Sequence, residues 1–168
     1  MVPSRLLIGL LLTSLLLPVA VWAAESSSNG TVSWIYDGDT IKVDQLGKVR
    51  LLGIDTPETE SGPRDDYYLR QGLKRPQLRQ TAKQAKDWLI ENLKGKQVRL
   101  TFDRVMRDKH ERLLAYVYLP DGRLVNRLLV ERGLASVFRR YGFALKEDFL
   151  AVEATAKTQQ LGLWRKQE

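Results

Sequence analysis

The sequence contains no cysteine. No disulfide can brace the fold, and no thiolate is available as a nucleophile or metal ligand. Histidine is almost as scarce: His110 stands alone, which rules out a histidine-rich metal centre and, with cysteine absent, disfavours zinc chemistry. Glycine loops that cradle phosphate and low-complexity repeats are missing too. Acidic residues are the minority charge, 20 against 27 Lys and Arg, for a formal net charge of +7. That balance suits nucleic acid, an anionic membrane surface or no specific partner, and it speeds approach to a polyanion in a salt-sensitive way.

Long apolar runs are confined to the start of the chain. Arg5 precedes an apolar run at 6–17, then come Pro18 and the small-residue approach Val21-Trp22-Ala23. This is the layout of a signal peptide cleaved after Ala23. The run is short for a membrane span, and an uncleaved anchor reaching Ala24 is the alternative. The expected organisation is a signal peptide at 1–23, a Ser-rich mobile linker at 24–30 and a single domain at 31–168, exported to the periplasm or medium.

The chemistry concentrates in residues 37–58, DGDTIKVDQLGKVRLLGIDTPE. Strands are expected at 40–43 and 49–54, joined by the polar turn 44–47. Folded as a hairpin, they set Asp39 opposite Asp55 to within a residue or two, at one barrel mouth. Two such carboxylates repel unless protonated or neutralised, and a hard cation with oxygen ligands, Ca2+ foremost, is the usual remedy. Glu58, beyond the rigid Thr56-Pro57 step, reaches the same space as a base acting on water. Arg50 and Arg112 supply planar donors for charge building on a phosphoryl group. Cation, base and guanidinium together point to phosphodiester hydrolysis. Blander readings stand beside this one, since Asp-Gly is a common turn dipeptide and Thr56-Pro57-Glu58 suits a helix N-terminus. Arg50 and Asp55 are also an odd number of positions apart, so a bulge or strand end must separate them.

Further strands are expected at 31–36, 97–102 and 112–119. Helices are expected at 78–93, at 126–131 with Asn126 as cap and Gly133 as stop, and at 143–159 with Leu163-Trp164 pinning its end. Residues 60–78 are the least regular, with Gly62, Pro63, Gly72 and Pro76 among Arg64, Arg70 and the pair Tyr67-Tyr68. They read as a solvated loop, or as a basic, aromatic flap that tracks phosphates and stacks bases.

The motifs DGDT at 37–40, VRLLGIDTPE at 49–58, RLLAYVY at 112–118, LVNRLLVERGLASV at 124–137 and LGLW at 161–164 resemble the thermonuclease, or staphylococcal nuclease-like, family. The resemblance covers nearly all of the chain after the leader. It implies an α+β, mainly β, fold: a five-stranded OB-fold β-barrel with about three packed helices. It also implies a Ca2+-dependent endonuclease that cuts DNA and RNA and leaves 3′-phosphate ends. Carried over by motif, Asp39, Asp55 and the Thr56 carbonyl are the Ca2+ ligands. Arg50, Glu58 and Arg112 are catalytic, and Lys109, Arg139 and Tyr141 contact substrate. No protein partner is implied, a monomer is expected, and a membrane enters only if the leader stays uncleaved. The chain departs from the family pattern where His110-Glu111 replace a tyrosine-glycine pair and where Arg139 replaces one of two tyrosines. Glu111 puts a Cβ where glycine allows unusual dihedrals. These departures leave room for a non-enzymatic OB-fold module that binds nucleic acid.

Overall fold

The computed structural model describes residues 27–166, so the expected signal peptide at 1–23 lies outside the described residues. In chain order the elements are β1 (Ser27–Ile35), β2 (Thr40–Val43), β3 (Gly47–Leu51), β4 (Ile54–Asp55), α1 (Asp65–Leu69), α2 (Arg75–Leu93), β5 (Gln97–Thr101), β6 (Leu113–Tyr118), α3 (Val125–Glu131), β7 (Ser136–Val137) and α4 (Lys146–Thr158). A 3-10 turn, Gly162–Trp164, follows. Five strands close a barrel in the order β1-β2-β3-β6-β5, antiparallel throughout except for the parallel pair β3 and β6. This is the expected α+β OB-fold barrel.

Strand alternation builds the barrel core. Val32, Ile35, Ile41, Val43, Val49 and Leu51 point inward and are buried, whereas Trp34, Lys42 and Lys48 between them are exposed. A bulge between Val32 and Trp34 keeps this parity in step with β2. The strand at 31–36 starts earlier than expected. Residues 27–30, assigned to the mobile linker from their serines, pair with Thr101 back to Val98 and help to close the barrel.

The strand expected at 49–54 is broken. β3 stops at Leu51, the chain turns through Gly53 at φ +82°, and β4 leaves the barrel to pair with β7, Ile54 beside Val137 and Asp55 beside Ser136. A Cβ on residue 53 would stand 2.6 Å from Phe143 Cε2, so glycine is needed for space as well as for dihedral angle. The break resolves the odd spacing of Arg50 and Asp55.

α2 lays Ala85, Leu89 and Leu93 on the barrel core, Leu78 packs with Tyr68 and Leu163, and Pro76 sits in the helix's first turn. α1 falls within the segment expected to be irregular and makes the helices four instead of about three. Asn126 is not a helix cap. It is fully buried: Oδ1 accepts from the Val117 N–H at 2.9 Å, and Nδ2 donates to the carbonyls of Leu52 at 2.9 Å and Ala115 at 3.1 Å. It ties α3 to β6 and to the end of β3. At the C-terminal end Leu163 donates to the Gly133 carbonyl at 2.7 Å, and the Gln77 amide donates to the Leu163 carbonyl at 2.6 Å, so the last turn is sewn to α2 and α3. Among the described residues no helix is long and apolar enough to cross a membrane.

Truncating Asn126 would take away the side-chain partner of the Val117 N–H and the Leu52 carbonyl, while the Ala115 carbonyl keeps its bond from the Leu52 N–H at 2.9 Å. Asn126→Ala should cost about 3 kcal/mol, read as a lower urea midpoint with an unchanged slope.

Candidate active site

The turn between β1 and β2 organises the first carboxylate. Gly38 lies where a Cβ would stand 2.8 Å from both Ala85 Cβ and Thr56 Oγ1, so α2 and the loop after β4 press against this turn. Asp37 Oδ1 accepts from the Asp39 N–H at 3.0 Å. Asp39 is 2% exposed, and both its oxygens are engaged: Oδ1 accepts from Thr40 Oγ1 at 2.9 Å and Oδ2 from the Thr56 N–H at 3.2 Å.

Arg50 joins this carboxylate to the second one. It lies opposite Thr40 in the β2–β3 register. Its Nη1 donates to Asp39 Oδ1 at 2.6 Å and its Nη2 to Asp55 Oδ1 at 2.8 Å, with a longer bond to the Ile54 carbonyl. Hairpin register alone does not bring the two acids together, because Asp39 lies beside Leu51, whose N–H donates to its carbonyl at 2.8 Å. The meeting requires the turn at Gly53 and the guanidinium between the acids. Burial opposes the charge on Arg50, but Asp39 and Asp55 outweigh it and hold the guanidinium above its ordinary pKa. Burial and the neighbouring Asp39 push Asp37 up to about 6.

Asp55 is held from three sides. The Tyr68 hydroxyl, at the end of α1 and 1% exposed, donates to Asp55 Oδ2 at 2.9 Å. Ser136 of β7 donates to the Asp55 carbonyl at 3.3 Å. Arg64 bridges Asp55 Oδ1 and Glu58 Oε1, and in this way Glu58 joins the cluster. Burial and the Asp39 charge raise the Asp55 pKa, against the pull of Arg64, Arg50 and Tyr68. Tyr68 is itself pushed well above the tyrosine range, first by burial and then by the Asp55 charge, so it stays a protonated donor.

The segment at 60–78 is therefore part of the site. Asp65, 2% exposed, pairs with Arg79 on α2 and anchors it, and residues 58–65 line a cavity of about 320 Å³ beside Glu58. Sequence reasoning offered Arg64 and Tyr68 only as members of a basic, aromatic flap, beside the blander solvated loop, and gave Ser136 no role. The available signal was Arg64 with the Tyr67-Tyr68 pair in a segment rich in Gly and Pro.

The remaining expected residues lie apart from this cluster in hydrogen-bonding terms. Arg112 immediately precedes β6 and is clamped by Asp108, with Nη2 at 2.6 Å and Nε at 2.8 Å from Oδ2. Glu111 does adopt the left-handed conformation that glycine favours, at φ +60°. Lys109 is exposed on the same loop. Arg139 is bound to Glu153 of α4, and its Nη1 also donates to the Val137 carbonyl at 3.0 Å. Tyr141 is 62% exposed, 5.7 Å from the Phe138 ring.

Asp39 and Asp55 present carboxylate oxygens only, the donor type a hard cation takes, and Thr56 faces Asp39 through its N–H. Among the described residues no group of three or more His, Cys, Asp or Glu is placed to hold a metal ion, so water would complete such a coordination shell.

Residues 48–166 match the family model described as staphylococcal nuclease homologue. The chain belongs to the staphylococcal nuclease family. Its relatives include a thermonuclease of Staphylococcus intermedius, 34% identical over 80% of this chain and 75% of the relative. Endonuclease YncB of Bacillus subtilis is 38% identical over 82% of this chain and 62% of the relative, and an uncharacterised protein of Methanocaldococcus jannaschii is 36% identical over 80% and 70%. As a member of the staphylococcal nuclease family, the chain is a phosphodiester-hydrolysing nuclease. The family match begins after Asp39, so the first carboxylate is placed in this site by the fold.

Glu153 links the ribbon of β4 and β7 to α4, accepting from the Val137 N–H at 2.8 Å as well as from Arg139. Burial would raise its pKa, but the bonds from Arg139 and Val137 bring it below the ordinary 4.5. The stabilisation is then fully present above pH 4.5 and is lost as pH falls through the lowered folded value. Glu153→Gln should lower stability by about 2 kcal/mol at neutral pH, with the gap to wild type closing in acid, as followed by thermal melts across pH.

Proposed function

We propose that the chain is an exported, Ca2+-dependent endonuclease that cuts DNA and RNA and leaves 3′-phosphate ends. The observation that supports this reading most directly is the Arg50 fork between two buried carboxylates, with Glu58 one guanidinium away from Asp55. Asp39, Asp55 and the Thr56 carbonyl would hold Ca2+, which when bound supplies positive charge to the phosphate oxygens under attack.

This chain's own residues do the rest. Glu58, with its side chain 38% exposed, is reachable by water and accepts a proton from it or orients it for attack. Arg64 fixes the direction of that carboxylate. Arg50 is held rigid by its two acids and turns its remaining N–H groups to the phosphate, where fixed donors act on charge that develops in the transition state. Arg112, steadied by Asp108, approaches the phosphate from the neighbouring strand, and Lys109, Arg139 and Tyr141 contact the nucleotides to either side. Export rests on the leader pattern at 1–23.

The test is hydrolysis of single-stranded DNA by the purified protein with Ca2+ and with chelator. Arg50→Ala should retain the fold and lose on the order of 100-fold or more in rate. Asp39→Ala should abolish the Ca2+-dependent cleavage and weaken Ca2+ binding measured by calorimetry. Products should resist polymerase extension until treated with phosphatase. Binding without cleavage under every metal condition would select the non-enzymatic OB-fold module instead.

A further inference from the structure

We propose that the outer face of β1, β2 and β3 is a second binding surface, a track that receives single-stranded nucleic acid next to the active site. The ligand class rests on the nuclease reading above; the surface itself rests on separate residues.

Trp34 is 52% exposed and Tyr36 39% exposed, two large aromatic side chains on the side of the sheet opposite the core. Strand register orders their neighbours. Trp34 pairs with Lys42, and Lys42 pairs with Lys48, so the three form one row across the sheet on one face. One step along the strands, Tyr36 donates its N–H to the Thr40 carbonyl at 2.9 Å, and Thr40 pairs with Arg50. Backbone register thus carries this second row to the active-site arginine, although Thr40 between them is itself fully buried. The rows are two residues apart, about 7 Å.

Lysines surround the rings. Lys48 Nζ lies 4.5 Å from the Tyr36 centroid, and Lys94 Nζ, just past the end of α2, lies 5.0 Å from that of Trp34. Among the described residues the lysines paired with carboxylates are Lys83 and Lys157, not these. Asp44 and Glu91 are the exposed acids that border the patch in sequence. An ammonium resting on an aromatic face holds a place that a base can take. Exchange would put a base on the ring and free the lysine for the adjacent phosphate, the combination that binds single strands without reading sequence. An anionic membrane would also use the lysines and the rings, and it is the register that leads to Arg50 that favours nucleic acid.

The experiment has two arms. Binding of a labelled oligothymidylate of roughly 12 nucleotides is followed by anisotropy in chelator, where cleavage does not intervene. Turnover of a single-nucleotide chromogenic phosphodiester is followed with Ca2+. Trp34→Ala should weaken oligonucleotide binding by about tenfold, and Lys42→Gln with Lys48→Gln should lower the slope of log affinity against log salt by about 1.4. Both variants should melt as wild type does and turn over the small substrate at the wild-type rate. Affinity within twofold of wild type in both variants would overturn the track and leave the nuclease reading intact. Loss of binding to phosphatidylglycerol vesicles with oligonucleotide binding unchanged would replace it with a membrane surface. If the wild type binds oligonucleotide through Trp34 yet hydrolyses neither substrate, the nuclease reading fails and the track stands.

Discussion

Two carboxylates facing each other away from water can both stay ionised only with positive charge close to them. Here that charge is one guanidinium, Arg50, whose two arms reach Asp39 and Asp55. The geometry around it serves to deliver these three groups to one point. The β2–β3 register sets Arg50 beside Thr40, the tight turn at Gly38 sets Asp39 at the barrel mouth, and the departure of β4 from the barrel carries Asp55 back over Arg50. Burial makes each charge depend on its partners, which is what gives the site a single arrangement.

The two-stranded ribbon of β4 and β7 does more for this site than its length suggests. It presents Asp55 from a rigid element, and its other strand is held from behind by Glu153 and in front by Tyr68. The segment carrying Arg64 and Tyr68 is in turn fastened to α2 by the buried pair of Asp65 and Arg79. Contacts from α1, α2, β7 and α4 thus converge on one acid. Catalytic donors and acceptors held in this way need little rearrangement when a phosphate arrives.

The strands were legible because alternation and turn residues are local signals, with β2 bounded as expected at Thr40–Val43, whereas their closure into a barrel came from the family resemblance. The broken strand was legible only as a contradiction: the odd spacing of Arg50 and Asp55 required an interruption, and Gly53 supplied it. Asn126 was misread because an asparagine ahead of a helical run is the ordinary sign of a cap, whereas its three backbone partners lie on β6 and just past the end of β3. The roles of Arg64 and Tyr68 were hidden for the same reason. Nothing in the spacing of 60–78 shows that its polar groups close over a carboxylate on another element. Glu111 was the opposite case, since the expected need for a glycine-like dihedral survives the loss of glycine.

β1 gives the molecule a direction. One end of this nine-residue strand leads through Asp37 into the site, and the other begins at Ser27, paired with Thr101. Measured along the strand, the two ends are about 26 Å apart. Ser27 therefore enters the barrel at the end of β1 that lies away from Asp37 and the site.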